Sequence, residues 1–143
     1  MISQKAKYAL RALIALARAE DDKPVTIPDI AEAQSIPRKF LEQILLTLKH
    51  AGMVESRRGK AGGYLLLRKT DEITFGQVLR LIDGPLAPLP CLSRIAYRRC
   101  DDCEGESTCE IRHVFAEVTQ ATRDILDRAT LADALASTTD GTI

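Results

Sequence analysis

The chain has 143 residues, with 20 Lys and Arg against 20 Asp and Glu, so its formal charge is zero. Its 45% hydrophobic share is ordinary for a globular chain, and no apolar run approaches the roughly 18–20 residues of a membrane helix, which excludes a transmembrane segment. The zero hides two halves: residues 1–80 carry 14 basic and 9 acidic side chains, residues 81–143 carry 6 and 11, and residues 36–70 alone carry 8 and 2, an asymmetry expected of a nucleic-acid-binding part joined to a part with another task.

The first predicted element is a helix over residues 3–20, where Ala6, Ala9, Leu10, Leu13, Ile14 and Ala17 recur at spacings of three and four. Ser3 is placed to cap it, and Asp21-Asp22-Lys23-Pro24 ends it. Lys7, Arg11 and Arg18 break the N-terminal apolar stretch. It therefore does not read as a secretory signal, and a cytoplasmic location with reduced thiols is expected. Thr26 opens a second, short helix running to about Ala33, with Pro28 in its first turn and Asp29 at the capping-box position. After the tight turn Gln34-Ser35-Ile36, Pro37 starts a third helix over 37–51 that buries Leu41, Ile44, Leu45 and Leu48. Gly52 supplies its left-handed end.

Two strands follow, near Val54–Arg58 and Tyr64–Arg68, around the basic tip Gly59-Lys60-Ala61-Gly62-Gly63. Thr74 and Gln77 form a capping box for a fourth helix whose Val78, Leu79 and Ile82 face inward, and Asp83-Gly84-Pro85 stops it. Residues 84–110 are irregular and hold all four cysteines. From Glu110 a long helix carries Ile111, Val114, Phe115, Val118, Ala121, Ile125 and Leu126 at near-heptad spacing. Thr130 caps a last helix over Leu131–Ala136, and Ser137–Ile143 reads as a frayed tail. The expected fold class is mainly α with a small β-hairpin. Its layout is a winged helix-turn-helix domain over 1–84, a cysteine-rich loop over 85–109, a dimerisation helix with a short terminal helix over 110–136, and a flexible tail over 137–143.

Two constellations carry chemistry. The first is a helix-turn-helix followed by a basic hairpin. In this order the third helix is the reading element, with its N-terminal side chains at base edges. Arg38, Lys39, Glu42 and Gln43 fall there, and between them they supply donors for guanine, a partner for adenine and an acceptor for cytosine. Arg57, Arg58 and Lys60 on the hairpin suit a narrow minor groove or phosphates. Helix-turn-helix shapes also serve protein contacts, and a charge run is often only a solvated face. The concentration of basic residues on this one segment favours DNA. His50 sits at the end of the reading helix, where it suits the dipole or a phosphate.

The second constellation is Cys91, Cys100, Cys103 and Cys109. Thiolates ligate iron–sulfur clusters and zinc, and reduced thiol pairs also act as disulfide switches, so three readings stand side by side. Cys100-x-x-Cys103 is a common zinc half-site, although zinc ribbons carry two such pairs. Arg98, Arg99 and Arg112 could favour thiolates, while Asp101, Asp102, Glu104 and Glu106 act against them. His113 lies one turn past Cys109 and is a further candidate ligand, with a packing histidine as the plainer reading.

Together these residues resemble the IscR/NsrR/BadM-like family of winged helix-turn-helix iron–sulfur transcriptional regulators. The resemblance covers roughly residues 2–136. It is carried by Lys7-Tyr8-Ala9-Leu10-Arg11-Ala12-Leu13, Phe40-Leu41-Glu42-Gln43-Ile44-Leu45, the hairpin Arg57 to Leu66, the cysteine loop and Thr130-Leu131-Ala132-Asp133. It implies a homodimeric regulator, a repressor or an activator, that binds double-stranded promoter DNA, pairs through helix 110–129 and senses redox state, iron or nitric oxide; an enzyme is not expected, because no Ser/His/Asp set, phosphate loop or pair of catalytic carboxylates is evident. It also implies base contacts by residues matching Glu42 and Arg58, and a cluster on Cys91, Cys103 and Cys109. The chain departs from the pattern in the eleven residues between Cys91 and Cys103, which include Cys100. Where some members add a carboxylate from the partner's first helix this chain has Lys7, and where another has a histidine three residues after the last cysteine it has Arg112. Cys100 and then His113 are thus the candidates for the fourth ligand, with a 2Fe–2S cluster favoured over 4Fe–4S. The alternative is a DNA-binding regulator with a zinc or thiol–disulfide switch.

Overall fold

The computed structural model describes residues 2–139. The winged unit is built from α1 (Gln4–Arg18), α2 (Ile27–Gln34), α3 (Arg38–His50), β1 (Val54–Arg57), β2 (Gly63–Leu66) and α4 (Phe75–Asp83). Local chemistry sets most of the boundaries. The Ser3 side chain accepts from Ala6 N–H at the start of α1, and Thr26 accepts from Asp29 N–H at the start of α2. Thr74 and Gln77 exchange both bonds of a capping box at α4. Pro37 is the residue just before α3 rather than its first helical residue, and it offers no side-chain cap. Ser35 takes up the left-handed backbone (φ 54°) that turns α2 into α3.

The core lies between α1 and α3. Ala6, Ala9, Ala12 and Leu13 on α1 meet Leu41, Ile44, Leu45 and Leu48 on α3, all fully buried. The alanines let the two axes come close, and each buried Leu or Ile contributes about 1.5–3 kcal/mol relative to exposure. Tyr8 and Phe40 add an edge-to-face pair 5.5 Å apart. The strands pair antiparallel, Val54 opposite Leu66 and Arg57 opposite Gly63, and end slightly earlier than the sequence predicts. Val25 bridges to Tyr64 through two backbone hydrogen bonds of 2.8 Å, so the hairpin is tied to the segment that enters α2. Gly63 allows this contact: at φ +144°, any Cβ there would come within 2.5 Å of the Val25 carbonyl oxygen.

Residues 85–109 run without a sheet or a long helix, through single turns at Pro90–Leu92 and Glu106–Thr108. Then α5 (Glu110–Leu126) and α6 (Leu131–Thr139) follow. Helix α6 is longer than expected: Ser137–Thr139 are helical, and the rest of the expected tail lies outside the described residues. The turn between α5 and α6 returns to the winged unit. Phe75 N–H donates to the Ala129 carbonyl at 2.8 Å, and Leu131 N–H donates to that of Ile73 at 3.0 Å. Leu131 is fully buried in the same core as α1 and α3, and α6 packs on α1. Leu126, placed by periodicity in the outer stripe of α5, instead packs against this core.

Candidate nucleic-acid interface and cysteine cleft

The buried and exposed residues of α3 divide as its 3.6-residue period dictates. With Leu41, Ile44, Leu45 and Leu48 inward, Arg38, Lys39, Glu42, Gln43, Lys49 and His50 are left exposed. Arg57, Arg58 and Lys60 are exposed on the hairpin beside them. The two surfaces are joined by Lys49 Nζ, which donates to Ser56 Oγ on β1 at 2.9 Å. Arg57 lies 3.5 Å from Glu55. Arg38, Lys39, Arg58 and Lys60 form no ion pair among the described residues, so their charge is free for an external partner. The hairpin tip is shaped by glycines: a Cβ at Gly62 would come 2.4 Å from the Arg57 carbonyl oxygen, and Gly59 has φ +100°. Leu46, unremarked in the sequence, is 48% exposed on the same face of α3.

The four cysteines, separated by up to eighteen positions, line one cleft of ≈ 420 Å³. Cys91 is buried in the Pro90–Leu92 turn, Cys103 and Cys109 are half-buried and Cys100 is exposed; all four are free thiols. Cys109 is also the N-cap of α5, its sulfur accepting from Arg112 N–H at 3.4 Å. Desolvation, then Cys91, Asp102, Cys103 and Cys109, hold the Cys100 thiol above its ordinary pKa. Among the described residues no three His, Cys, Asp or Glu side chains form a set that could hold a metal ion. His113 does not line the cleft: it is exposed, with Nδ1 3.1 Å from the Cys109 carbonyl oxygen.

Polar side chains surround the cleft, of which Arg112 and Glu106 line it and Tyr97 and Arg99 stand behind. Arg112 lines it, its Nε is buried without a partner, and one of its terminal nitrogens is 3.8 Å from Glu106. Glu106 in turn accepts from the Tyr97 hydroxyl, which raises the phenol pKa. Arg99 donates to the Cys103 carbonyl at 3.2 Å. The thiols line the same cleft as Arg112, whose buried Nε lacks a partner, and a buried donor left unpaired is costly; soft thiol donors suit an anionic thiolate centre by chemistry, although the described side chains are not gathered into a metal-holding set. The loop is tied to α5 by Arg123, whose Nη2 donates to the Leu92 carbonyl at 2.7 Å. Sequence reasoning found the thiols and read Glu106 only as a flanking acid, and it missed Tyr97 and Arg123, whose roles depend on where an aperiodic loop folds back.

The outer face of α5 is apolar and uncovered: Ile111, Val114, Val118 and Ile125 are 50–62% exposed and Phe115 38%. No helix among the described residues is long and apolar enough to cross a membrane.

A winged helix-turn-helix with a C-terminal helical arm is the architecture of a class of DNA-binding transcriptional regulators. The sequence pattern of the Rrf2 family, described as "Iron-dependent Transcriptional regulator", matches residues 2–137, and the chain belongs to that family. An rrf2-like protein of Rhodobacter capsulatus, named as an HTH-type transcriptional regulator, is 50% identical over 140 residues, covering 96% of this chain and 93% of that one. The solved structure of CymR, the global cysteine regulator of Bacillus subtilis, superimposes with a TM-score of 0.80 at 31% identity, over 96% of this chain and 97% of CymR. The structure of T. potens IscR matches with a TM-score of 0.78 at 29% identity, over 100% of this chain and 91% of IscR. The family consists of transcriptional regulators, not enzymes.

Proposed function

We propose that the protein is a homodimeric regulator of promoter DNA whose binding is set by the state of the cysteine cleft. The lining of one cleft by all four thiols together with Arg112 carries this reading. In it, Arg38, Lys39, Glu42 and Gln43 enter the major groove while Arg57, Arg58 and Lys60 engage the adjacent minor groove and phosphates. The free charge of Arg38, Lys39, Arg58 and Lys60 supports this assignment. Two copies pair through the stripe Ile111–Val118–Ile125 on α5, whose seven-residue spacing suits a helix–helix seam. An exposed apolar face of this extent is otherwise unfavourable in water.

In the leading form of the proposal the cleft holds an iron–sulfur cluster on Cys91, Cys103 and Cys109, with Cys100 as the fourth ligand and a 2Fe–2S centre favoured. Such a cluster would supply a centre sensitive to redox state, iron supply or nitric oxide. Within the chain, Arg112 would donate to the bound sulfur cage and Glu106 would hold Arg112. Ligation would draw the loop around Cys100 and Cys103 toward Cys91, which Arg123 fixes against α5. DNA affinity then follows the cleft only if the reading surfaces bind DNA better in one of its states. The experiment is anaerobic purification followed by the visible spectrum and iron and sulfide analysis of the wild type and of Cys103→Ser. Colour with iron and sulfide in the first and their loss in the second support the cluster. A colourless protein with stoichiometric zinc removes it.

A second reading is favoured by the likeness to CymR, described as a cysteine regulator, and by four free thiols that do not form a metal-ligating set. It makes the cleft a thiol–disulfide switch. Two thiols lose two electrons and two protons to an external oxidant such as a disulfide or peroxide, and one S–S bond forms. This form gives no iron and a mass loss of two hydrogens per disulfide.

A further inference from the structure

A second cavity, of ≈ 280 Å³, lies where α4, the loop on either side of Cys91 and α5 meet, and three arginines line it: Arg80, Arg94 and Arg123. Their charges are not balanced. Arg80 is held by Asp127 in a two-pronged ion pair of 2.6 and 3.0 Å. Arg123 donates to the neutral Leu92 carbonyl, and Arg94 reaches only the neutral side chain of Gln120, at 3.4 Å. One carboxylate therefore faces three guanidinium groups, leaving two positive charges around one hollow. Burial, then Arg94 and Arg80, lower the pKa of Arg123, so the fold holds these charges together against their repulsion.

The arrangement is built rather than accidental to a mobile surface. The three arginines come from three different elements, and Gly76 on α4 sets their spacing. A Cβ at Gly76 would stand 2.2 Å from Asp127 Oδ1 and 3.2 Å from the Leu126 carbonyl oxygen. Glycine thus lets α4 and α5 approach until Arg80 and Asp127 lock. The Ser93 hydroxyl accepts from Ile95 and Ala96 N–H at 3.3 and 2.9 Å, which fixes the turn that presents Arg94. Leu86 and Ile95 form an apolar side to the hollow.

We infer that this cavity binds a small dianionic metabolite, a dicarboxylate or a phosphomonoester, through Arg94 and Arg123. Planar guanidinium forks match both carboxylate and phosphoryl oxygens, and two forks bound only to neutral partners keep two positive charges for two negative ones. The volume corresponds to roughly nine water molecules at ~30 Å³ each. That exceeds a bare inorganic ion and leaves room for a short carbon body against Leu86 and Ile95. Because the site touches α4, the loop and α5 together, its occupant stiffens the junction between the reading unit and the arm. This inference does not depend on what the cysteine cleft holds.

The test uses the full-length, metal-free chain in chloride at constant ionic strength, titrated calorimetrically with inorganic phosphate and, separately, with succinate. Two variants are compared: Arg94→Gln inside the cavity, and Arg128→Gln, an exposed arginine outside it that makes the same change in net charge. Saturable binding of either anion, weakened about tenfold or more in R94Q and little changed in R128Q, supports the site. Which of the two binds assigns the class. Absence of saturable binding of both anions, or equal weakening in R94Q and R128Q, overturns the inference. Arg94 is exposed, and a thermal melt of R94Q verifies that it folds.

Discussion

The winged unit and the arm that leaves it solve the burial problem in opposite ways. Residues of α1, α2, α3, α4 and α6 share one continuous core, with Leu13, Leu41, Ile44, Leu45 and Leu131 at zero exposure. Between residues 84 and 126 the buried residues are Cys91, Ser93 and Thr119, while Ile95, Tyr97, Ile111, Val114, Val118 and Ile125 stand in the open. The first region is complete as a single chain. The second has apolar surface and thiols in place of a core. A DNA reader has to be rigid to keep its side chains in register with a groove, whereas a sensor gains by being stabilised from outside.

That contrast can be broken most forcefully at its rigid end. Ile44→Ala opens a cavity under the reading helix and should lower stability by about 2–5 kcal/mol in denaturant titration. Cys91→Ala in the metal-free chain should cost far less. Equal losses would mean that the arm carries a core of its own. Next comes the arm's outer face. Val118→Glu places a charge mid-stripe and should weaken self-association by about 2–4 kcal/mol, read as a shift to monomer by sedimentation. An unchanged dimer would place the pairing surface elsewhere.

A smaller effect is expected on the reading surface. Arg58→Ala should weaken operator binding by about 1–3 kcal/mol, relax sequence preference at one position and flatten the salt dependence, with the melting curve unchanged. Unaltered affinity would remove Arg58 from the interface. Smallest is the acid response of the junction between the regions. Arg80 holds the Asp127 carboxyl below the usual carboxylate range. Stability from this partly exposed pair is therefore present above the ordinary carboxylate pKa and is lost as pH falls through the depressed value. Asp127→Asn should make the acid limb of a melting-temperature profile shallower. What remains includes Asp133, which Thr130 depresses in the same direction. An identical profile would show that the pair contributes nothing.

The rigid region was also the legible one. Ser3, Thr26 and Thr74 are caps whose effect lies within three residues, and the spacing of Leu41, Ile44, Leu45 and Leu48 fixes which side of α3 remains for Arg38 and Glu42. Glycines at 59, 62 and 63 marked a hairpin because few other residues accept those backbone angles and contacts. In the arm the local rules give out. Nothing periodic connects Cys91 to Cys109, so the sequence could name four thiols but not the cleft they share, nor the Tyr97–Glu106–Arg112 chain beside it. His113 looked close to Cys109 along the chain, yet the helix turns it outside the cleft. Leu126 fitted the outer stripe by spacing but packs inward because the chain turns back at Asp127.

The turn back has a consequence for how the molecule is made. Leu131 fills the core that α1 begins, and backbone bonds at Ala129 and Leu131 pin α6 beside α4. In chain order the cysteine loop and α5 are therefore an insertion into the reading unit rather than an appendage to it. A nascent chain released after residue 84 lacks the side chain that closes its own core. The reading head is sealed only once the cysteine loop and α5 have been synthesised, so a fragment truncated before α6 should not accumulate as a stable DNA binder.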